Sequence, residues 1–493
     1  MTGAVDDSTR PPASVSPPRS SGSGWLRVRP APFVAAVVVG LVGLQLAASW
    51  SLLHRPINVD ESFTVLTVRG GLSSLVSGVR ADPGMAGYYV PLWLIRHLTG
   101  SGIVALRTAS FVCQAAVIAT ICVWSNRRGR LLTAVALVVL LGMTPAVRMA
   151  AVEARAYALA ELASVVAVYA VARDMGGATR RSEWLAAIAT GFLALVHPSA
   201  LGAASFLCLS LAVLARRANR LGLAHAAAAL VVGGAGVAGL LQAESSTSAA
   251  ATGIDGLTFT LASLFGASLV TALAVIVAVT LAVGFDGRRD PVTIIALGAG
   301  LSYVALCVVT LPLGDIAPSN PRYWVATAGL IALAGALVGT RSWRRPVLAM
   351  AILGALVMTT IRHDAELDRG YAFCSEASLL SSRVAAGDQI IFEPPVVRSM
   401  VVACLDPDSA MSLRLRATFV PQTDPADMDD PRRLFLEASG DLTAVTFEPP
   451  QQSWIIADEV SKPQIEHLVA RMEAAGATCV AATATLIGCT SAD

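Results

Sequence analysis

Two adjacent acids, Asp60 and Glu61, stand in HRPINVDESFTV (residues 54–65), directly after an apolar run that ends near Leu53. Acids at the edge of hydrocarbon cost free energy unless water, a cation or a hydrogen-bonding partner meets them. Two chemistries suit the pair. Both can cap a juxtamembrane helix, SFTVLTVRGGLSSLV, whose first turn welcomes negative charge. Alternatively Asp60 is a general base that takes a proton from an acceptor hydroxyl, with Glu61 holding geometry or a cation.

A second constellation, Glu153-Ala-Arg155-Ala-Tyr157-Ala-Leu159, opens a later apolar stretch. On a helix, Glu153 and Tyr157 are four apart and share a face, with Arg155 pointing elsewhere. Glu153 has the chemistry of a catalytic acid or divalent-cation ligand, and Arg155 that of a phosphate-binding cation. The plainer reading is a local ion pair with access to water. A third group, Asn320-Pro321-Arg322-Tyr323-Trp324, starts another stretch, where Pro321 is a natural helix opener and Tyr323 and Trp324 suit the interfacial belt. Arg322 is either a snorkelling anchor or, with Tyr323, part of a phosphate clamp, since guanidinium grips phosphate bidentately. His197 in ALVHPSALG, Arg107 in ALRTAS and Tyr88-Tyr89 in GYYVPLWL, together with Tyr157, fall on the same side of the chain's spans. Each reads as a substrate-pocket residue or as packing and anchoring.

The elements that must position these groups are hydrophobic. The 493-residue chain is 55% hydrophobic and 14% charged, against roughly a quarter charged in soluble domains, so it is a polytopic α-helical membrane protein. Apolar stretches able to cross about 30 Å of hydrocarbon recur at 33–53, 102–124, 131–147, 154–172, 184–197, 199–215, 222–241, 262–284, 292–312, 323–340 and 346–361, about 11 spans. The pair 184–197 and 199–215 is broken at His197-Pro198 and also reads as one kinked or re-entrant unit. Residues 1–31, rich in Pro, Ser and Gly, read as a disordered tail; a signal peptide cut near Leu46–Ser49 is the competing reading.

Arginines give the sidedness. Arg127, Arg128 and Arg130; Arg173, Arg180 and Arg181; Arg216, Arg217 and Arg220; Arg288 and Arg289; and Arg341, Arg344 and Arg345 all fall on the side of the N-terminal tail if eleven spans are counted. Positive charge marks the cytoplasm, which places the N-terminus inside a plasma membrane. The loop 54–101, the turn 144–155, the loop 313–323 and the C-terminus are then outside. Residues 32–361 form the membrane module, and residues 362–493 read as an extracytoplasmic α/β domain. In it DQIIFEPP, AVTFEPP and SWIIADE look like strands and PQIEHLVARMEAAGA like an amphipathic helix. Four cysteines lie in that domain, Cys374, Cys404, Cys479 and Cys489. They allow three disulfide connectivities, of which Cys479–Cys489 across a terminal hairpin with Cys374–Cys404 is favoured; zinc is the alternative, without ligand spacing to support it.

Taken in order, the DE dipeptide after the first span, the juxtamembrane helix, YY…LW, LRTAS, EARAYAL, HPS and RY resemble the GT-C superfamily of membrane glycosyltransferases. Within it they resemble the polyprenyl-phosphate-sugar-dependent branch of protein O-mannosyltransferases and aminoarabinose transferases, most nearly bacterial mannosyltransferase-like members. The resemblance covers about residues 33–361. It implies a lipid-phosphate sugar donor of mannose or pentose type entering laterally, and transfer with inversion to a cell-envelope acceptor, be it protein, lipid or glycan. It also implies Asp60 as base, with Glu153 assisting through a divalent cation such as Mg²⁺ or Mn²⁺. The chain departs from the family in lacking a lysine phosphate clamp, since Lys462 is its only lysine, so arginines must serve. No GxxxxGK[ST] or GxGxxG element precedes a helix, which fits a donor other than a nucleotide sugar, and nothing points to nucleic acid. The competing classes are a lipid-linked-glycan transporter, which should show inverted repeats and midplane polar residues, and a non-catalytic envelope scaffold.

Overall fold

Apolar runs uninterrupted by charge become helices because only a helix satisfies its own backbone in hydrocarbon. A computed structural model of the chain describes residues 29–55, 57–99, 102–176, 179–217, 220–243, 291–310, 325–338, 373–393, 397–405, 409, 412–413, 418–420, 452–457, 462–483 and 485–491. Helices occupy nine of the eleven apolar stretches: α1 (Ala31–Ala48), α6 (Ile103–Arg127), α7 (Leu131–Gly142), α9 (Tyr157–Gly176), α10 (Arg180–Val196), α11 (Leu201–Arg217), α12 (Leu223–Ala243), α13 (Pro291–Thr310) and α14 (Val325–Val338). A short helix, α2 (Trp50–Leu53), ends the first stretch, and the stretches 262–284 and 346–361 lie outside the described residues. Among the described residues three segments are long and apolar enough to cross a membrane, Ala31–Ala48, Ile103–Arg127 and Pro198–Arg216. His197 breaks α10 from α11 with extended backbone, and Pro198–Ala200 forms a single 3-10 turn.

The helices alternate in direction. Arg29 and Asn126 exchange two hydrogen bonds, of 3.0 and 3.1 Å, so the start of α1 meets the end of α6. Arg127, Arg130, Arg173, Arg180, Arg216 and Arg220 mark the helix ends and short connections at that arginine-rich end, and residues 54–99, Glu153–Ala156 and His197 lie at the other. At the bundle centre α9 packs on α6, α10 and α14, and α10 on α12. Small residues permit this closeness: Ala154, Ala156, Ala158, Ala160 and Ala167 are all buried, and small side chains let backbones approach in membranes.

Two expectations are corrected. The juxtamembrane helix is not one piece, because Gly70-Gly71 separates α3 (Val59–Arg69) from α4 (Leu72–Ala81), and a Cβ on Gly70 would run into the Ser74 side chain. The segment 144–155 is mostly helix, α8 (Pro145–Val152), opened by Pro145. After α8 the chain leaves helical geometry at Glu153 (φ −81°, ψ 134°) before α9 starts at Tyr157. Glu153, Arg155 and Tyr157 therefore do not share a continuous helix, and the face argument for them does not hold. The third α-helix of the first loop, α5 (Ala86–Thr99), carries Tyr88 and Tyr89 and approaches α10 through Gly87, where a Cβ would sit 2.9 Å from the Leu195 carbonyl oxygen. Gly87→Val is expected to push α5 off α10 and cost about 1–3 kcal/mol of overpacking, read as a lowered thermal midpoint of the purified protein.

The C-terminal residues build a five-stranded sheet of order β2-β1-β3-β5-β4, from β1 (Gln389–Glu393), β2 (Thr418–Val420), β3 (Ser453–Ala457), β4 (Ala477–Ala481) and β5 (Leu486–Ser491). β1 runs parallel to β2 and β3, whereas β5 is antiparallel to β3 and β4. Helices of the described residues that accompany it include α15 (Phe373–Arg383), α16 (Val397–Cys404) and α17 (Lys462–Ala474). AVTFEPP lies outside the described residues. Both favoured disulfides form: Cys374–Cys404 links α15 to α16, and Cys479 and Cys489 face each other across the terminal hairpin. The domain meets the first loop where α16 packs on α3. There Arg69 Nη1 donates to the Val402 and Leu405 carbonyls at 3.0 and 2.9 Å, satisfying oxygens that a helix C-terminus leaves without partners.

Candidate active site

The first turn of α3 is fixed by its own sequence. Asn58 is the N-cap: its Oδ1 accepts the Glu61 N–H at 2.8 Å, and Glu61 Oε2 accepts the Asn58 N–H at 3.2 Å, a reciprocal capping box. Glu61 is fully buried and further engaged. Arg107 Nε and Nη2 grip its two oxygens at 2.9 and 2.7 Å, and the Ala154 N–H donates to Oε1 at 3.0 Å. Arg107 Nη1 also holds the Leu53 and Arg55 carbonyls, so one guanidinium joins α6, the end of the first span and α3. Burial alone would raise the Glu61 carboxyl, but the hydrogen bonds and charge of Arg107, the charge of Arg55 and the Ala154 N–H hold it below the ordinary 4.5.

The second acid is drawn into the same network. Glu153 is buried, its Oε1 accepting from Asn58 Nδ2 at 2.7 Å, and Arg55 Nη2 lies 3.6 Å from Glu153 and 3.8 Å from Glu61. An amide N–H and a guanidinium thus meet the same oxygen of the Glu153 carboxylate. Among the described residues no three His, Cys, Asp or Glu side chains converge as metal ligands would.

Asp60 differs from its neighbours. It is half-buried where Glu61 and Glu153 are sealed, and Arg155, also half-buried, reaches the Asp60 carbonyl with Nη1 at 3.4 Å. The charges of Asp60 and Asp82 act on Arg155, and the Arg155 charge acts on Tyr88 and His197. The Tyr157 and His197 rings are 5.1 Å apart, and those of Tyr88 and Tyr89 5.8 Å. Tyr89 donates to Asp82 at 3.0 Å, and burial together with the Asp82 charge keeps its phenol protonated well above its usual range. His197 Nδ1 accepts the Ser199 N–H at 3.1 Å, which leaves the ring proton on Nε2.

Chain regions distant in sequence thus converge: Asp60, Glu61, Tyr88, Tyr89, Arg107, Glu153, Arg155, Tyr157 and His197 occupy one end of the bundle. Arg322 and Tyr323 lie outside the described residues. The arrangement has two layers. A sealed layer of Glu61, Glu153, Arg55, Arg107 and Asn58 balances its own charge, and the half-buried Asp60 and Arg155 lie beside it.

Sequence reasoning did not find Arg55, Asn58 or Asp82. The spacing Asn58-x-x-Glu61 carries the capping-box signal, and Asp82-Pro83-Gly84 carries that of a turn. Nothing local marks Arg55, because its partners come from 6 and 98 positions further along the chain.

No family model matches the chain, and no curated protein does. Among solved structures, the crystal structure of ArnT from Cupriavidus metallidurans bound to undecaprenyl phosphate resembles it over 93% of this chain and 97% of that chain, with a TM-score of 0.55 at 12% identity. The helical bundle with its first-loop helices and appended C-terminal residues is thus similar in fold to that membrane protein.

Proposed function

We propose that this chain is a membrane glycosyltransferase that moves a sugar from a polyprenyl-phosphate donor to a cell-envelope acceptor with inversion at the anomeric carbon. One observation carries the reading: the half-buried Asp60 and Arg155 stand side by side over a sealed, charge-balanced support. Asp60 takes the acceptor hydroxyl proton as the acceptor oxygen bonds to C1. The bond from C1 to the phosphate oxygen breaks, and the polyprenyl phosphate leaves with the electron pair. Arg155 meets the charge that grows on the phosphate, with Arg322 and Tyr323 as its partners in the clamp, and such pre-set cations stabilise charge developing in the transition state. Tyr88, Tyr89, Tyr157 and His197 form the pocket wall. Glu61 and Glu153 are positioning groups, and no step runs through a metal. The fold likeness to a protein crystallised with undecaprenyl phosphate supports the donor class.

The positive-inside distribution of arginines supports a plasma-membrane enzyme with its N-terminus in the cytoplasm and this site, with the C-terminal domain, outside. The test supplies the purified protein in lipid nanodiscs with radiolabelled polyprenyl-phosphate mannose or pentose and an envelope extract. The expected product is label in a new glycosidic bond, with release of polyprenyl phosphate. Lipid crossing the bilayer without new bonds would make the chain a transporter, and no turnover of any donor would make it a scaffold. Arg155→Gln is expected to raise the donor KM by roughly tenfold or more through loss of a charged hydrogen bond, and an unchanged KM removes Arg155 from the clamp.

A further inference from the structure

A cavity of about 410 Å³ lies at the arginine-rich end, between the first turns of α10 and α12, on the opposite side of the bundle from Asp60. Its polar lining comprises Arg180, Glu183, Trp184, Arg220 and His225. Arg220 Nη1 is 3.2 Å from Glu183 Oε1, so that acid is neutralised and Arg180 remains as surplus positive charge. His225 is only 7% exposed, and its Nδ1 has no hydrogen-bond partner. A buried polar atom without a partner calls for a ligand or water. Both helices present their N-termini here, and helix N-termini carry N–H groups and partial positive charge that favour anions.

The surroundings select the kind of anion. Leu185 and Ile188 on α10 are 48% and 62% exposed, and Leu223 and Leu230 on α12 are 75% and 77% exposed. Ile188 lies one turn below Trp184 and Leu230 two turns below Leu223, so apolar stripes descend from the cavity along both helices. Trp184 sits where aromatic side chains mark the membrane interface. We propose that this cavity binds the phosphodiester headgroup of an anionic phospholipid. Arg180 and Arg220 donate to the phosphate oxygens, His225 donates from Nδ1, and the acyl chains lie along the two leucine-bearing stripes. A free phosphate would use the same donors but gains nothing from the stripes. The site is separate from the donor site proposed above, and its occupant is a structural or regulatory lipid.

The experiment reconstitutes the full chain in phosphatidylcholine nanodiscs containing a small fraction of phosphatidylglycerol, extracts it in mild detergent, and counts retained phosphatidylglycerol by native mass spectrometry. Arg180→Gln, an exposed position, and His225→Phe, which keeps the buried volume, are each expected to lower retention roughly fivefold or more. Arg127→Gln, exposed at the same end but outside the cavity, is expected to leave retention as it is. Equal loss in all three variants would reduce the effect to a general basic surface and overturn the site. Retention of phosphatidylcholine as strongly as phosphatidylglycerol would overturn the charge requirement. Complete displacement of the lipid by millimolar inorganic phosphate would overturn the assignment to a lipid.

Discussion

Asp60→Asn is expected to lower kcat for sugar transfer by about 100- to 10,000-fold, the range lost when a positioned general base is removed, with donor KM little changed. The substitution is nearly isosteric, and the first turn of α3 is set by Asn58 and Glu61, so the fold does not depend on the Asp60 charge. The Asp60 carbonyl, which Arg155 reaches, is also kept. Single-turnover measurement with excess enzyme separates the chemical step from product release. Equal rates for wild type and variant would remove Asp60 as base and return attention to Glu153. A parallel fall in donor affinity would mean instead that the carboxylate orients Arg155.

The second large effect concerns folding. Arg107→Met leaves Glu61 fully buried beside Arg55 at 3.8 Å, without its bidentate partner. Breaking a buried ion pair from one side costs about 3–5 kcal/mol, whereas replacing both partners is often near neutral. The single variant is therefore expected to lose most folded protein on detergent extraction, and Glu61→Gln combined with Arg107→Met to recover part of it. No recovery would place the role of Arg107 in its bonds to the Leu53 and Arg55 carbonyls rather than in the ion pair. The pH dependence has a definite sign. The folded-state value of Glu61 lies below the ordinary 4.5, so its stabilisation is complete above that pH and is lost as pH falls through the lower, folded value. Wild type should lose stability in acid more steeply than the double variant.

The chemistry was legible where an unusual residue type interrupted a regular pattern. Two acids after an apolar run, an arginine at the head of a span and a histidine before proline each cost free energy, so each pointed to a partner. Which partner was not legible, since Glu61–Arg107 and Glu153–Asn58 join residues 46 and 95 positions apart. The capping reading of the acid pair is found in Glu61, which closes the helix cap, and the role of Asp60 as base stays the proposal that the transfer assay tests. The helical reading of EARAY failed because Ala, Glu and Arg are good helix formers and no Gly or Pro marks the break. What turns the chain there is tertiary, the Ala154 N–H donating to Glu61 from another loop. The Cys479–Cys489 pairing was readable from a terminal hairpin, whereas the two helices that Cys374–Cys404 joins carried no signal in the sequence reading.

The bond from Arg69 to the Val402 and Leu405 carbonyls spans 333 and 336 residues. During biosynthesis the helix bearing Asp60 emerges early, yet its far end waits for nearly the whole polypeptide to be translated before that contact can close. Contacts between such distant positions form late. A truncated product lacking the last hundred or so residues would therefore leave α3 without this tether.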